Sequence, residues 1–306
     1  MKKFNILLAA YNGEKFIREQ IESLLAQKCE GFSLHIFVRD DGSKDGTLDI
    51  LHEYENQGKL KLFTGENKGF AKNFLTLASL CDEADYYAFC DHDDIWENFK
   101  VQKAFDALEA RPEEEKEKPL LYFSNYEFYN EEMTSHTPHS MGKLTPCFAN
   151  AMLDCPALGC TQVFNNAARR ELVKAMPEHV VGHDCWTYML CAGLGNVIFD
   201  DSVTLRFRRH KGSASAEGMS FILLQLWRIK TYFAKNRFLA IHLMLQNFRD
   251  LYSGRLSVDN RELLELFTQD KNSIGIAFKK AFHKGRFRPK LSDEIMLRII
   301  SLTGKI

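Results

Sequence analysis

Three carboxylates fall within four residues in Cys90-Asp91-His92-Asp93-Asp94. Charges packed this closely repel one another and need a partner of opposite sign. A divalent cation such as Mg²⁺ or Mn²⁺ is that partner, because hard oxygen ligands suit it. The apolar run before the acids and Ile95-Trp96 after them place the cluster at a pocket edge. The plain alternative is a solvated acidic turn between a strand and a helix. A second acidic stretch is Arg39-Asp40-Asp41-Gly42-Ser43-Lys44-Asp45-Gly46-Thr47. Turn chemistry and a threonine helix cap explain its second half. They do not explain Asp40 beside Asp41, whereas a pyrimidine N3–H is a natural donor to a carboxylate.

The elements that must hold these acids can be read from hydrophobic spacing. Apolar runs over 4–10, 34–38, 59–63 and 86–90 read as buried strands. Between them, 14–27, 47–55 and 70–80 carry apolar residues at helical spacing. This alternation predicts an α/β fold with a mostly parallel sheet and ligands at the carboxyl ends of its strands. Asp40-Asp41 and Asp91–Asp94 stand at two such ends. Further on, 96–110 reads as helix, 111–119 as a charged surface loop, and 120–129 as an aromatic-rich strand. Residues 134–146 read as a loop, 169–174 and 184–192 as helices, and 197–199 and 204–207 as short strands. Helical patterns close the chain over 219–251, 261–267 and 294–302.

Composition bounds the rest. The chain has 306 residues, 45% hydrophobic and 26% charged, with a formal net charge of -1. No global positive field draws it to nucleic acid. Its 8 cysteines lie scattered in apolar segments, the pattern of reduced thiols rather than a disulfide framework. The apolar run after Lys2-Lys3 is too short for a secretion signal, and no stretch reaches the roughly 20 apolar residues of a membrane span. A cytoplasmic protein is expected, peripheral at most on the inner face of the plasma membrane.

Four segments in order carry a resemblance. Ala9-Ala10-Tyr11-Asn12-Gly13, Asp40-Asp41-Gly42-Ser43, Asn67-Lys68-Gly69 and Asp91-His92-Asp93-Asp94 resemble the motifs of family 2 glycosyltransferases with the GT-A fold. Gly182-His183-Asp184-Cys185-Trp186 is similar to the family's acidic motif, which implies that Asp184 is the catalytic base of an inverting enzyme. Phe207-Arg208-Arg209-His210 is similar to a later motif whose histidine completes the metal site. The resemblance therefore implies Asp93, Asp91 and His210 as ligands of Mg²⁺ or Mn²⁺. It implies donor contacts from Ala10, Tyr11, Asp40, Asp41, Asn67, Lys72, Asn73, His92, Asp94 and Arg208. Gly159-Cys160-Thr161 resembles a segment near the acceptor site, and Trp96, His183 and Trp186 are expected beside it.

Asp-x-Asp-Asp-Ile-Trp and His-Asp-x-Trp resemble the rhamnosyltransferase-like branch, with His92 in place of a glutamine and Cys185 in place of a tryptophan. This implies a dTDP-L-rhamnose donor and a growing, lipid-linked cell-surface polysaccharide as acceptor. A UDP-hexose or UDP-N-acetylhexosamine transferase of the same fold stays open. So do a sugar-phosphate nucleotidyltransferase and a non-catalytic sugar-binding homologue. The expected division is a catalytic domain over 1–216 and a helical, partly basic appendage over 217–306. In the latter, residues 271–290 interleave Ile274, Ile276, Phe278, Phe282 and Phe287 with Lys271, Lys279, Lys280, Lys284, Arg286, Arg288 and Lys290, without an acid. That pattern fits an anionic membrane surface, and a homodimer interface is its alternative.

Overall fold

The computed structural model describes residues 1–139, 141, 145–210, 237–269 and 273–303. At the centre of its parallel half lies β1 (Lys2–Ala10), with Phe4, Ile6, Leu7, Leu8 and Ala10 all buried. Both faces are covered, so Ile6 to Ala10 are continuously apolar rather than alternating. β2 (Phe32–Asp40) and β4 (Tyr86–Asp91) flank β1 in parallel, and β3 (Lys61–Thr64) extends the sheet beyond β2. The crossovers are α1 (Ile17–Leu25), α2 (Thr47–Asn56) and α3 (Phe70–Leu80). In α1 the buried Ile17, Ile21 and Leu24 form the stripe that faces the sheet.

Beyond β4 short antiparallel pairings join the mostly parallel sheet. β8 (Gln162–Asn165) runs antiparallel to β4 and to β6 (Leu120–Tyr129). β9 (Asn196–Arg208) is parallel to β6, β5 (Ile95–Trp96) is antiparallel to β9, and β7 (His136–Pro138) pairs with β6. Among the described residues the order is β3-β2-β1-β4-β8-β6-β9-β5, with β7 branching from β6. The two short strands expected at 197–199 and 204–207 are one strand. Polar Asp200, Asp201 and Ser202 interrupt its apolar pattern where the β6/β9 register shifts, around Ser124 and Asn125. The helix expected over 96–110 begins later, as α4 (Lys100–Glu109), because Ile95 and Trp96 pair with Arg206 and Leu205.

The remaining helices are α5 (Glu113–Lys116), α6 (Phe148–Leu153), α7 (Asn166–Lys174), α8 (His183–Leu194), α9 (Arg237–Tyr252), α10 (Val258–Thr268), α11 (Ile274–Ala281) and α12 (Leu291–Leu302). The C-terminal helices are not loosely attached. Phe248 of α9 is fully buried, with its ring centroid 5.8 Å from Phe148 and 5.4 Å from Trp186. The expected boundary at 216/217, residues 219–236 of the expected long helix, and Lys271 lie outside the described residues. The basic segment is only partly solvated. Lys280 is buried and Arg288 pairs with Asp154 at 2.7 Å. Ile274, Phe278, Phe282, Leu291, Ile295 and Ile299 remain exposed on α11, α12 and the turn after α11.

Candidate active site

The register of β1 brings the acidic segments together. Ala10 stands opposite Asp40 and Ala9 opposite Asp91, so both stretches end on the same edge of the sheet. The loop after β1 is knitted to the loop after β2. Asn12 N–H donates to Ser43 Oγ at 2.9 Å, Gly13 N–H to Thr47 Oγ1 at 2.8 Å, and Lys44 N–H to Asn12 Oδ1 at 2.8 Å. His92 lies against this loop. A Cβ on Gly13 would come within 2.3 Å of His92 Cδ2, so only glycine lets the ring pack there. Tyr11, Asn67 and Lys72 are exposed around the same edge and remain available to a ligand.

Asp40 and Asp41 are turned inward. Asp40 accepts from Gly42 N–H, Ser43 N–H and the Ser43 hydroxyl. Asp41 accepts from Arg39 at 2.5 Å and from the Lys68 and Gly69 N–H groups at 2.9–3.0 Å. Both carboxylates are buried, with Asp40 accepting three bonds and Asp41 held by Arg39 and two backbone N–H groups. In this arrangement they brace the loops that follow β2 and β3. Asn73, expected on the donor, is likewise buried and accepts from Arg39 at 2.6 Å.

Asp91, the last residue of β4, and Asp93 lie half-buried in the site. Burial pushes Asp91 up to about 7, and the charges of Asp93 and Asp184 push the same way. Asp184 thus reaches the acidic cluster from the first turn of α8, a distant part of the sequence. Asp93 Oδ2 is 2.9 Å from His210 Nε2, which brings the end of β9 to the same point. The structure brings two of the three expected ligands, Asp93 and His210, together, while Asp91 groups with Asp94 and Cys160; carboxylates crowded in this way fit a hard divalent cation. Of the expected ligand set, Asp93 and His210 are in contact and Asp91 lies at the end of the adjoining strand.

Asp94 is a different case. Its Oδ1 accepts from Arg208 N–H at 3.0 Å, and its Oδ2 is buried without a hydrogen-bond partner among the described residues. Burial, then Asp93 and Asp91, hold its carboxyl well above the usual range. Arg208, expected on the donor, is instead a strut. Its guanidinium donates to the Asp93 carbonyl at 2.8 Å, to the Glu131 carbonyl and to Glu19, fixing the acidic loop from behind.

The acceptor-side expectations fare unevenly. Trp96, His183 and Trp186 are all buried, at 3%, 4% and 0% exposure, so none offers a face to a sugar. His183 stacks on Phe74 at 3.9 Å, and burial lowers it to about 4, a neutral core ring. Trp186 packs on Phe248 and Tyr252. Helical burial overrode the surface role that motif position implied. Gly159, Cys160 and Thr161 form a buried 3₁₀ turn beneath the acids. There the Cys160 sulfur and carboxylate oxygens of Asp91 and Asp94 lie within 4.8 Å of one another.

One residue of this site is absent from the sequence reading. Lys100 is fully buried beneath the cluster, donates to Thr204 Oγ1 at 3.4 Å and lies 4.7 Å from the Trp96 ring centroid. Burial lowers it to about 8. Its signal was its phase, for Lys100, Ala104 and Leu108 share one buried helix face.

Fold and site together define a nucleotide-sugar glycosyltransferase of the GT-A fold. The solved TarS 1-349 of S. aureus in complex with UDP-GlcNAc is similar with a TM-score of 0.57 and 17% identity, over 99% of this chain and 90% of that one. The mannosyltransferase PcManGT of Pyrobaculum calidifontis, in complex with GDP-Man and Mn²⁺, gives 0.55 and 14%, over 99% and 74%. The chain belongs to glycosyl transferase family 2, whose model matches residues 5–174. It is 26% identical to the dTDP-rhamnosyl transferase RfbG of Shigella flexneri over 70% of this chain and 75% of that protein. It is 35% identical to the poly(ribitol-phosphate) beta-N-acetylglucosaminyltransferase TarS of Staphylococcus aureus, over 31% of this chain and only 17% of TarS.

Proposed function

We propose that this chain is an inverting, metal-dependent rhamnosyltransferase. It moves L-rhamnose from dTDP-rhamnose to a hydroxyl of a growing, lipid-linked cell-surface polysaccharide. The observation that carries the chemistry is that Asp184, in the first turn of α8, lies near enough for its charge to act on Asp91 at the end of β4. Asp184 takes the proton of the acceptor hydroxyl as its oxygen bonds to the anomeric carbon. The bond from that carbon to the diphosphate breaks in the same displacement. Asp93, Asp91 and His210 would hold a divalent cation, which when bound would supply electrophilic stabilisation of the leaving diphosphate. Residues 1–216 form the catalytic unit in this reading and 217–306 its helical appendage.

The donor rests on similarity to RfbG, which extends over most of both chains. The shorter stretch shared with TarS favours a second reading, a UDP-N-acetylhexosamine donor. The two nucleotides share N3–H, O2 and O4, so the base edge discriminates weakly and the sugar must decide. A panel of nucleotide-sugars read by product mass tests this. Turnover of dTDP-rhamnose is the expected result. Turnover of a uridine-linked hexose or N-acetylhexosamine with none of dTDP-rhamnose overturns the donor assignment alone.

We also propose that the exposed Ile274, Phe278, Phe282, Leu291, Ile295 and Ile299 lie on an anionic membrane surface beside Lys279 and Lys284. No helix among the described residues is long and apolar enough to cross a membrane. Apolar anchors among basic residues give reversible binding, with each lysine contributing about 1 kcal/mol near the surface. Co-sedimentation with anionic but not neutral vesicles is expected, lost at high salt and in Phe278→Ser with Phe282→Ser. A dimer that the same double variant dissociates, without sedimentation, places these residues at a subunit interface instead.

A further inference from the structure

A second cluster of ligating atoms includes Asp184 itself. The Sγ atoms of Cys155 and Cys185 and a carboxylate oxygen of Asp184 all lie within 4.8 Å of one another. The cluster joins two separate parts of the chain. Cys155 stands in the turn between α6 and the 3₁₀ helix, and its thiol donates to the Ala157 carbonyl at 3.2 Å. Asp184 and Cys185 occupy the first turn of α8. One buried side chain fixes the two parts against each other, for Gln162 Nε2 donates to the Ala157 carbonyl at 2.7 Å and to the Asp184 carbonyl at 3.0 Å. Asp184 Oδ1 accepts from Cys185 N–H at 2.8 Å, which holds the carboxylate over the helix end. Gly182 keeps the space open. A Cβ there would stand 2.3 Å from Asp184 Oδ1 and 3.7 Å from Cys185 Sγ.

We propose that Cys155, Asp184 and Cys185 form a binding site for a thiophilic divalent cation of the Zn²⁺ class. Two sulfurs and one carboxylate are a donor set that selects Zn²⁺ over Mg²⁺ or Mn²⁺, which take oxygen ligands. Three protein ligands leave the fourth tetrahedral position to water. Binding replaces the two thiol protons, which pass to solvent, and no electron is transferred. The site is separate from the hard-ion position at Asp91, Asp93 and His210 but shares the neighbourhood of the base. A cation there occupies Asp184, so a thiophilic metal inhibits sugar transfer. That last step rests on Asp184 being the base, and the binding itself does not.

Cobalt titration of the reduced full chain tests binding directly. Co²⁺ bound to thiolate shows charge-transfer absorption that oxygen ligands do not produce. The expected result is such a band, abolished or strongly reduced in Cys155→Ser. Serine there retains a donor to the Ala157 carbonyl and removes the sulfur. Absence of the band, or a band undiminished in Cys155→Ser, overturns the site, the latter placing the metal elsewhere, as at Cys160. Transfer assays with saturating Mg²⁺ and added Zn²⁺ read the consequence. Half-inhibition of Cys155→Ser should require roughly tenfold or more Zn²⁺ than the wild-type chain, the minimum loss for a disturbed metal site. Equal sensitivity overturns the inhibitory step. A chain that binds cobalt through thiolate but turns over no donor refutes the proposed function and leaves the metal site standing.

Discussion

Replacing Asp93 with alanine is expected to abolish sugar transfer while leaving the fold intact. The two halves of this expectation rest on different atoms. Arg208 grips the Asp93 backbone carbonyl at 2.8 Å, and Asp94, not Asp93, anchors the Arg208 N–H. The acidic loop therefore keeps its position when the Asp93 side chain is cut back. What is lost is the carboxylate 2.9 Å from His210 Nε2, a contact that joins the end of β9 to the acids through a potential metal ligand. Without it Asp91 and His210 remain of the proposed set, and the contact between the end of β9 and the Asp93 carboxylate is gone. Thermal unfolding of the variant should follow the wild type closely, and transfer with Mg²⁺ or Mn²⁺ should fall below detection. Excess chelator should do to the wild-type chain what the substitution does. Full activity in Asp93→Ala, or in chelator, overturns the metal assignment.

The sequence was most legible where one strand or helix dictates one pattern. β1 to β4 and their crossovers follow from apolar runs and helical stripes, and the acids at their ends follow from the same runs. Beyond β4 the partners are far apart in sequence. Gln162–Asn165 is a strand because β4 and β6 lie on either side of it, and Trp96 pairs with Leu205 instead of starting a helix. No local pattern contains that information. The site shows the same division. Acid clusters mark its place, but motif position cannot tell a side chain that faces a ligand from one that faces the core. Asp40, Asp41, Asn73 and Arg208 lie inward and brace the loops. His183 and Trp186 lie inward because α8 is packed between α3 and α9, through Phe74 on one side and Phe248 on the other. Lys100 could have been found, since a lysine in phase with Ala104 and Leu108 must be buried with them. Cys155 could not, because only the fold brings it to Cys185.

Asp184→Asn is expected to retain donor binding and to lower kcat by at least ~10²-fold, the smaller end of what a general base contributes. Asparagine is the informative replacement because it keeps the shape and keeps an oxygen for the Cys185 N–H that Asp184 Oδ1 now accepts. A role in starting α8 would survive it. The helix, moreover, begins at His183 after Gly182, so Asp184 sits inside the first turn and is not the cap. Within sugar transfer, only proton abstraction needs the ionised carboxylate. The same charge is one of those that press on Asp91, so removing it should relax the acidic cluster and leave cation and nucleotide binding no weaker. Donor affinity and kcat are therefore expected to separate in this variant, where in Asp93→Ala they should fall together. An unchanged kcat would assign Asp184 to structure. If Asp184 acts by direct displacement, wild-type product carries the opposite anomeric configuration to the donor, which NMR of the purified product reads. Retention would require a carboxylate nucleophile beneath the sugar and would remove Asp184 from the role of base.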